Sequence, residues 1–488
     1  MRDRRPTLVK QKLAPLRLQT ISLFAVAASQ LCRRCESGLM ATTYLHLILY
    51  DCAIMKPVSP LPDVASLWQA TASGRPDLTT LVGDRKYDVA IVGGGYSGLS
   101  TARYLAAKGL SPVVLEANRI GWGASGRNGG VVEGKFRVSL SDVSRRFGLE
   151  TARRMHSLAH EAVDHIVELI EAYGVDAANY QQNGAMRCAH NQHSFDKLLK
   201  EDEWMRSALG EGKTRVFSAL DMQRETGSSD FVGGVLNQHG GTIHPLNFSR
   251  GLATGLRKAG IDIFEDSPVL SIRREADHVV LSTPQGSIRA SQVVIATDAY
   301  TDLTQATGMV SKSIVPFRSA IIATEPLDAA GVIPPVTEGR SYSETRRMMR
   351  WFRRYETRVL YGGRGAFGKS DSESAFETLE TALRTQFPQL ENVKVTHRWS
   401  GLVALTLDAV PHVGRLDDRT TYAIGYNGLG VALSTNMGKY VAEVVTGGKP
   451  SLGMLTASPL KRIPFYSLRE PAVRLVAGWY QFLDRIGR

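Results

Sequence analysis

The chain has 488 residues, 43% of them hydrophobic and 22% charged, with a formal net charge of +12. That composition suits a large core in two closely joined domains and excludes collagenous, low-complexity and repeat classes. The positive charge invites a nucleic-acid reading, but the cations are scattered and no RNA- or DNA-binding motif accompanies them, so no nucleic-acid partner is expected.

Residues 1–55 stand apart. They hold eight Lys/Arg against three Asp/Glu, and Cys32, Cys35 and Cys52 out of four cysteines. With Cys188 alone, no disulfide framework is implied, and a reducing, cytoplasmic compartment is the expectation. Cys32-x-x-Cys35 lacks a second pair or histidines, so no metal site is expected. The apolar run Ile21–Cys32 is too short to span a bilayer. Ala25-Val26-Ala27 behind a basic start, and Arg4-Arg5, loosely mimic export signals, which leaves an exported protein as the alternative.

Residues 87–130 carry most of the information. The apolar run Val89–Val92 enters Gly93-x-Gly95-x-x-Gly98, a helix pattern follows, and a second run, Val113–Leu115, closes on Glu116. This is a βαβ unit of about 30 residues. Gly93 permits the tight turn, Gly95 the approach of a pyrophosphate, and Gly98 close packing of helix on sheet. The first-turn amides, at Tyr96 and Ser97, then face the phosphates, and the Glu116 carboxylate is placed to take ribose hydroxyls. Next comes Gly121-Trp122-Gly123-Ala124-Ser125-Gly126-Arg127-Asn128-Gly129-Gly130. A nicotinamide site does not need this loop. A flavin does, because its ring lies against backbone with its edge hydrogen-bonded, and Ala124, Ser125, Arg127, Asn128, Gly129 and Gly130 are assigned to it. A surface loop is the plainer alternative.

An amphipathic helix is expected over Glu150–Tyr173. His244 precedes Pro245, which restricts its backbone, and an imidazole there is a candidate acceptor of a substrate ammonium proton; the alternative is a hydrogen-bonded loop histidine. Strands are expected at Val315–Thr324 and in a hairpin around Met348–Gly363. Arginines crowd residues 346–358, and strand alternation puts Arg350, Arg354 and Arg358 on one side, Arg347 and Arg353 on the other. In the C-terminal third, Trp399-Ser400-Gly401 leads to Thr406-Leu407-Asp408 and Pro411. Tyr422–Ile424 then opens into Gly425-Tyr426-Asn427-Gly428-Leu429-Gly430 and a helix pattern, Ser434–Val445. Gly428, Leu429 and Gly430 at that helix start suit an anion, such as the charge that reduced flavin carries. Leu475, Trp479, Phe482, Leu483 and Ile486 recur at helical spacing and are read as a final helix docked on the body, with a membrane-surface helix as the alternative.

With these motifs in place, the chain resembles the D-amino-acid oxidase-like superfamily of FAD-dependent oxidoreductases. The fingerprint, the GASGRNGG loop and the WSG…TLD…P segment are similar to its γ-glutamylputrescine oxidoreductase-like branch, as are Gly241–Pro245, Ser267-Pro268-Val269 and Val293–Tyr300. The resemblance implies an α/β fold of the glutathione-reductase-like FAD type, with a Rossmann-like FAD-binding domain interleaved with a substrate domain on a mixed β-sheet. The FAD domain is expected over 87–145, 240–310 and 395–465, and the substrate domain over 146–239 and 311–394. An N-terminal arm, 56–86, precedes them, and 466–488 form the C-terminal helix. Val269, Ala296 and Gly401 join the cofactor residues on the same ground. Gly401 stands where sarcosine-oxidase-like members carry a flavin-linking cysteine, so non-covalent FAD is implied. Leu360 falls near their oxygen-activating lysine, which leaves oxygen or another carrier as electron acceptor. Trp351-Phe352-Arg353 resembles the segment lining the substrate cavity, and Arg353 is the candidate carboxylate clamp. Because family-like sequence starts after Met55, the leader is read as a disordered, over-extended start, with a targeting segment as the alternative.

The expected function is oxidation of a small amine or amino acid, γ-glutamylputrescine-like, by hydride transfer from the carbon next to nitrogen to flavin N5. The alternatives are a sarcosine-like N-methyl amino-acid dehydrogenase and a flavin-binding redox partner without amine turnover. No membrane association is expected, and oligomeric state is left open.

Overall fold

A computed structural model describes residues 65–336, 339–364, 372–457 and 460–485. The leader expectations and Ile486 fall outside these residues. Two eight-stranded sheets organise the remainder. In the first, Gly83–Val92 pairs in parallel with Pro112–Leu115 on one side and Gly286–Ile295 on the other. Asp262–Phe264 extends one flank and Thr420–Ile424 the other, again in parallel, and His412–Arg415 closes that edge antiparallel. Val89–Val92 and Pro112–Leu115 are buried throughout. That is why both read as unbroken apolar runs: helices cover each face of a parallel sheet.

The second sheet runs Val395–Leu405, Val315–Thr324, Arg358–Arg364, Arg350–Tyr355, Ser341–Glu344, Ala185–Ala189, Gly233–Asn237, Thr214–Ser218. All its neighbours are antiparallel except Ser341–Glu344 with Ala185–Ala189, so the sheet is mixed. Val315–Thr324 and the 350–364 hairpin form as the sequence suggests. Val395–Leu405 is a correction to the expected partition: it pairs along its length with Val315–Thr324 and so belongs to the second sheet, although Gly401 still lines the cavity described below.

Helix packing fixes the base of the site. Tyr96–Ala107 lies against Gly430–Val445 so closely that a Cβ on Gly438 would come within 2.4 Å of Ser100 Oγ. Helix Leu149–Tyr173 starts after Gly148 and stops at Gly174, whose left-handed φ of 61° ends it. It buries Met155, Leu158, Ala162, Ile166 and Leu169, a helical stripe worth about 1.5–3 kcal/mol for each large side chain. The final helix, Arg469–Arg485, forms, but Leu475 and Trp479 are 63% and 55% exposed. These two residues are thus only partly covered, and the side chains of Phe482 and Leu483 lie outside the described ones.

Candidate active site

One cavity of about 1310 Å³ runs from the fingerprint turn to the second sheet. Its floor is built by the first strand–turn–helix. Gly93 takes φ +109°, and a Cβ there would lie 2.9 Å from the Ala296 carbonyl oxygen. At Gly98 a Cβ would sit 2.0 Å from the Gly93 carbonyl oxygen. Gly98 therefore does not line the cavity; its part is the close helix–strand contact. Gly95 is the N-cap of Tyr96–Ala107 without a side-chain cap, and no acidic residue occupies the first turn. Leu429 caps Gly430–Val445 in the same way. Both N-termini border the cavity, so two positive dipole ends look into it.

Glu116 ends its strand as expected. Its Oε2 accepts from the Gly94 amide at 2.8 Å and its Oε1 from the Asn118 amide at 3.0 Å. Burial raises its pKa. Across the cavity, Asp298 Oδ1 accepts from the Gly425 amide at 2.7 Å, and burial raises the carboxyl to about 6. Asn427, at φ +57°, accepts from the Thr406 amide at 3.0 Å, and Tyr426 Oη meets Ser97 Oγ at 3.0 Å, joining the two glycine turns.

The loop at 124–130 is held by distant side chains. Trp399 Nε1 donates to the Arg127 carbonyl at 2.9 Å, and Trp68 Nε1 donates to the Asn128 carbonyl at 2.8 Å. Asn128 ties the loop to itself, donating to the Ala124 and Ser125 carbonyls and accepting from the Gly130 amide. Arg127 lies over the Trp122 ring, 4.7 Å from its centre, and donates from Nε to the Trp122 carbonyl at 2.6 Å.

Arg353 also serves this loop, which overturns the clamp expectation. It is 3% exposed and does not line the cavity. Its Nη1 donates to the carbonyls of Gly129 at 3.2 Å, Gly130 at 2.7 Å and Ile243 at 3.1 Å. Arg353 shares its face of the strand with Trp351, which does reach the cavity. What alternation could not show is that residues 129–130 lie over the guanidinium: a Cβ on Gly130 would come within 2.6 Å of Arg353 Nη1. Gly130 is thereby packed beneath the loop and away from the cavity as well. Arg358 belongs to the next strand and donates to the Thr324 carbonyl.

His244 is likewise displaced from the proposed proton-accepting role. It is the N-cap of helix Pro245–Lys258, its Nδ1 accepting from the Asn247 amide at 3.1 Å, while Nε2 meets Thr71 Oγ1 at 3.1 Å. Packed on Trp68 and 2% exposed, it lies off the cavity wall, and burial lowers its pKa to about 4. Leu360 is sealed in the core beside Trp68 and Trp399, so no oxygen-activating group stands there.

The remaining cofactor candidates, Gly93, Gly95, Tyr96, Ser97, Glu116, Ala124, Ser125, Arg127, Asn128, Gly129, Val269, Ala296, Gly401, Gly428, Leu429 and Gly430, all line the one cavity. Gly401 presents no thiol to it, and buried Cys188 is not on the wall.

Sequence reading missed the polar lobe. Lys135 and Arg187 line it, and burial lowers both pKa values. Lys135 is paired with Glu133. Arg187 makes no ion pair among the described residues; its Nη1 donates to Ser343 Oγ at 3.3 Å and lies 3.4 Å from Met349 Sδ. A single arginine in the short strand Ala185–Ala189 gave no pattern to find it by.

The sequence matches the FAD dependent oxidoreductase (DAO) family over residues 88–444. The chain belongs to this family. It is 31% identical over 425 residues to the γ-glutamylputrescine oxidoreductase of Escherichia coli (strain K12), covering 87% of this chain and 99% of that protein. It is also 31% identical over 407 residues to the probable oxidoreductase OrdL of Haemophilus influenzae, covering 82% and 92%. The fold is that of glycine oxidase from Bacillus cereus, with a TM-score of 0.61 at 21% identity, 78% of this chain and 99% of that one. The protein is an FAD-dependent amine or amino-acid oxidoreductase.

The residues present fit FAD. Two helix starts whose N-cap residues carry no capping side chain face the cavity, and Gly94 lets the fingerprint turn pack against the end of the next strand: a Cβ there would meet Ile120 Cδ1 at 2.7 Å and the Glu116 side chain at 3.0 Å. The volume exceeds the roughly 300–1,000 Å³ of ordinary small-molecule pockets, which leaves space for a substrate beside the cofactor. Among the described residues, no helix is long and apolar enough to cross a membrane.

Proposed function

We propose that the protein oxidises a small amine bearing a carboxylate, of the γ-glutamylputrescine type, at the carbon next to nitrogen, with FAD held non-covalently. The carrying observation is Arg187, a half-buried cavity-lining guanidinium that closes no ion pair among the described residues, Glu133 and Glu344 acting on it only from a greater distance. A substrate carboxylate supplies the missing partner through two parallel hydrogen bonds. The similarity to γ-glutamylputrescine oxidoreductase across nearly the full length of that protein supports the same substrate class.

Bound FAD supplies an acceptor for the hydride. The chain's own residues bind and orient. The helix starts at Gly95–Ser97 and Gly428–Gly430 would present their positive dipole ends to anionic parts of the cofactor, Glu116 would take ribose hydroxyls, and the 124–130 loop would back the ring. Arg187 fixes the acid end of the substrate, so that the amine end is directed along the cavity toward the ring. Once the ammonium has lost its proton, no protein base is needed for the hydride step, and the imine hydrolyses in water. We place the enzyme in the cytoplasm and leave its electron acceptor between oxygen and a carrier.

Anaerobic reduction of the flavin absorbance by γ-glutamylputrescine, compared in the wild type and Arg187→Met, is the test. The expected result is bleaching in both, with the substrate concentration for half-maximal rate raised about a hundredfold in the variant, since a charge-assisted bidentate pair is lost. Unchanged half-saturation removes Arg187 from substrate binding. No bleaching of the wild type by any carboxylate-bearing amine removes the substrate class.

A further inference from the structure

The polar lobe holds a group of side chains that amine oxidation does not use. Helix Leu149–Tyr173 carries His156 and His160 one turn apart, on the same face. Glu211 reaches them from the segment after helix Gln192–Leu209. His156 Nε2 is 3.0 Å from Glu211 Oε2, His160 Nε2 is 2.9 Å from the same oxygen, and the two imidazole nitrogens are 3.2 Å apart. Three ligand atoms thus form a nearly equilateral triangle. Its edges approach the separation of about 3.3 Å between neighbouring ligands around a tetrahedral zinc with bonds of about 2.0–2.1 Å.

The surroundings fix that triangle. Glu211 Oε1 is taken by the Lys213 amide at 2.7 Å, which turns Oε2 alone toward the imidazoles. The His160 ring stacks on His239 at 4.7 Å and 20°, and His239 Nε2 is bonded to Asp164 Oδ1 at 2.6 Å. The carboxylate side chain is only 5% exposed, against 18% and 26% for the two histidines. All three residues line the cavity. Orientation of ligands by outer hydrogen bonds and stacking is what metal sites require.

We propose that His156, His160 and Glu211 bind one zinc ion, with the fourth position open to the cavity for water or a carboxylate of the cavity's occupant. Two neutral imidazoles and one carboxylate form a donor set that zinc accepts, and three protein ligands leave a tetrahedral ion one free place. The proposal departs from the expectation of no metal site; the i, i+4 histidines are the signal the sequence offers, and Glu211 joins them only through the fold. It is independent of the substrate proposed above.

The test uses the full-length FAD-loaded protein, stripped with chelator and titrated with zinc alone, with metal content measured after gel filtration. His160→Gln and Glu211→Gln are the comparisons. Glu211→Gln keeps the shape and an acceptor for the Lys213 amide, and FAD content verifies the fold of each variant. The expected result is one more equivalent of zinc in the wild type than in either variant, with affinity weakened about a hundredfold or more by each substitution. Cobalt in place of zinc then gives visible bands of a tetracoordinate ion without the near-ultraviolet band of a thiolate ligand, which separates this site from the cysteines of residues 1–55. Equal zinc uptake by wild type and both variants, or cobalt bands of thiolate type only, overturns the proposal.

Discussion

If His244 is a structural cap and not a proton acceptor, protein stability should carry its titration. Its imidazole takes a proton at 6.5 when free and at about 4 in the fold, because burial disfavours the charged ring. The unfolded chain therefore binds the proton more readily between these values. The stability contributed by the neutral ring is complete above pH 6.5 and is lost as pH falls toward 4. The two titrations differ by about 0.2 kcal/mol at pH 7 and about 2 kcal/mol at pH 5. His244→Asn keeps a side-chain oxygen for the Asn247 amide but has nothing to titrate. Urea unfolding of both proteins at pH 7 and pH 5 should show a fall smaller by about 2 kcal/mol in the variant; His165, also lowered to about 4, contributes equally to both and cancels. Equal falls would refute the reasoning. So would loss of the acid limb of kcat/KM in the variant, which belongs to a catalytic base.

Arg353→Met removes a guanidinium shared by three carbonyls and leaves them dry, which costs about 3–4 kcal/mol; the urea midpoint should fall and FAD should dissociate more readily, while KM for the amine at saturating FAD stays unchanged. A raised KM with unchanged FAD affinity would restore the carboxylate-clamp reading. Gly98→Ala forces a methyl to within 2.0 Å of the Gly93 carbonyl oxygen, so the turn must shift, at a cost of about 1–3 kcal/mol. A lowered melting temperature and weaker FAD binding should appear together; a variant with both unchanged contradicts the close packing.

The parts legible in the sequence are those set by local chemistry. Gly93, Gly95 and Gly98 announce a turn and a close contact within a few residues of one another, and Val89–Val92 announces a strand buried on both faces. Val315–Thr324 was bounded correctly because its apolar run ends where the strand ends. The failures come from long-range contact. Arg353 was placed on the correct face, yet what lies over that face is a loop 223 residues earlier. Arg187 sits in a five-residue strand, and its standing depends on which carboxylates the fold brings near it. His156 and His160 are visible as a helical pair, but Glu211 is turned toward them by the Lys213 amide. His244 was read as a candidate proton acceptor held in place by Pro245; the restraint is present, but the structure puts it in service of the helix behind it.

The wall formed by residues 124–130 is pinned by Trp68, Arg353 and Trp399, which stand 60, 223 and 272 positions from the carbonyls they hold. During synthesis the fingerprint turn emerges early, while the last of those pins leaves the ribosome only after four-fifths of the chain has been made. A half-built chain therefore has the fingerprint sequence but neither the strand Gly286–Ile295 that pairs beside it nor a fixed backing for the ring. With folding proceeding from the N-terminus onward, the wall behind the ring is complete only when the last fifth of the chain is being made.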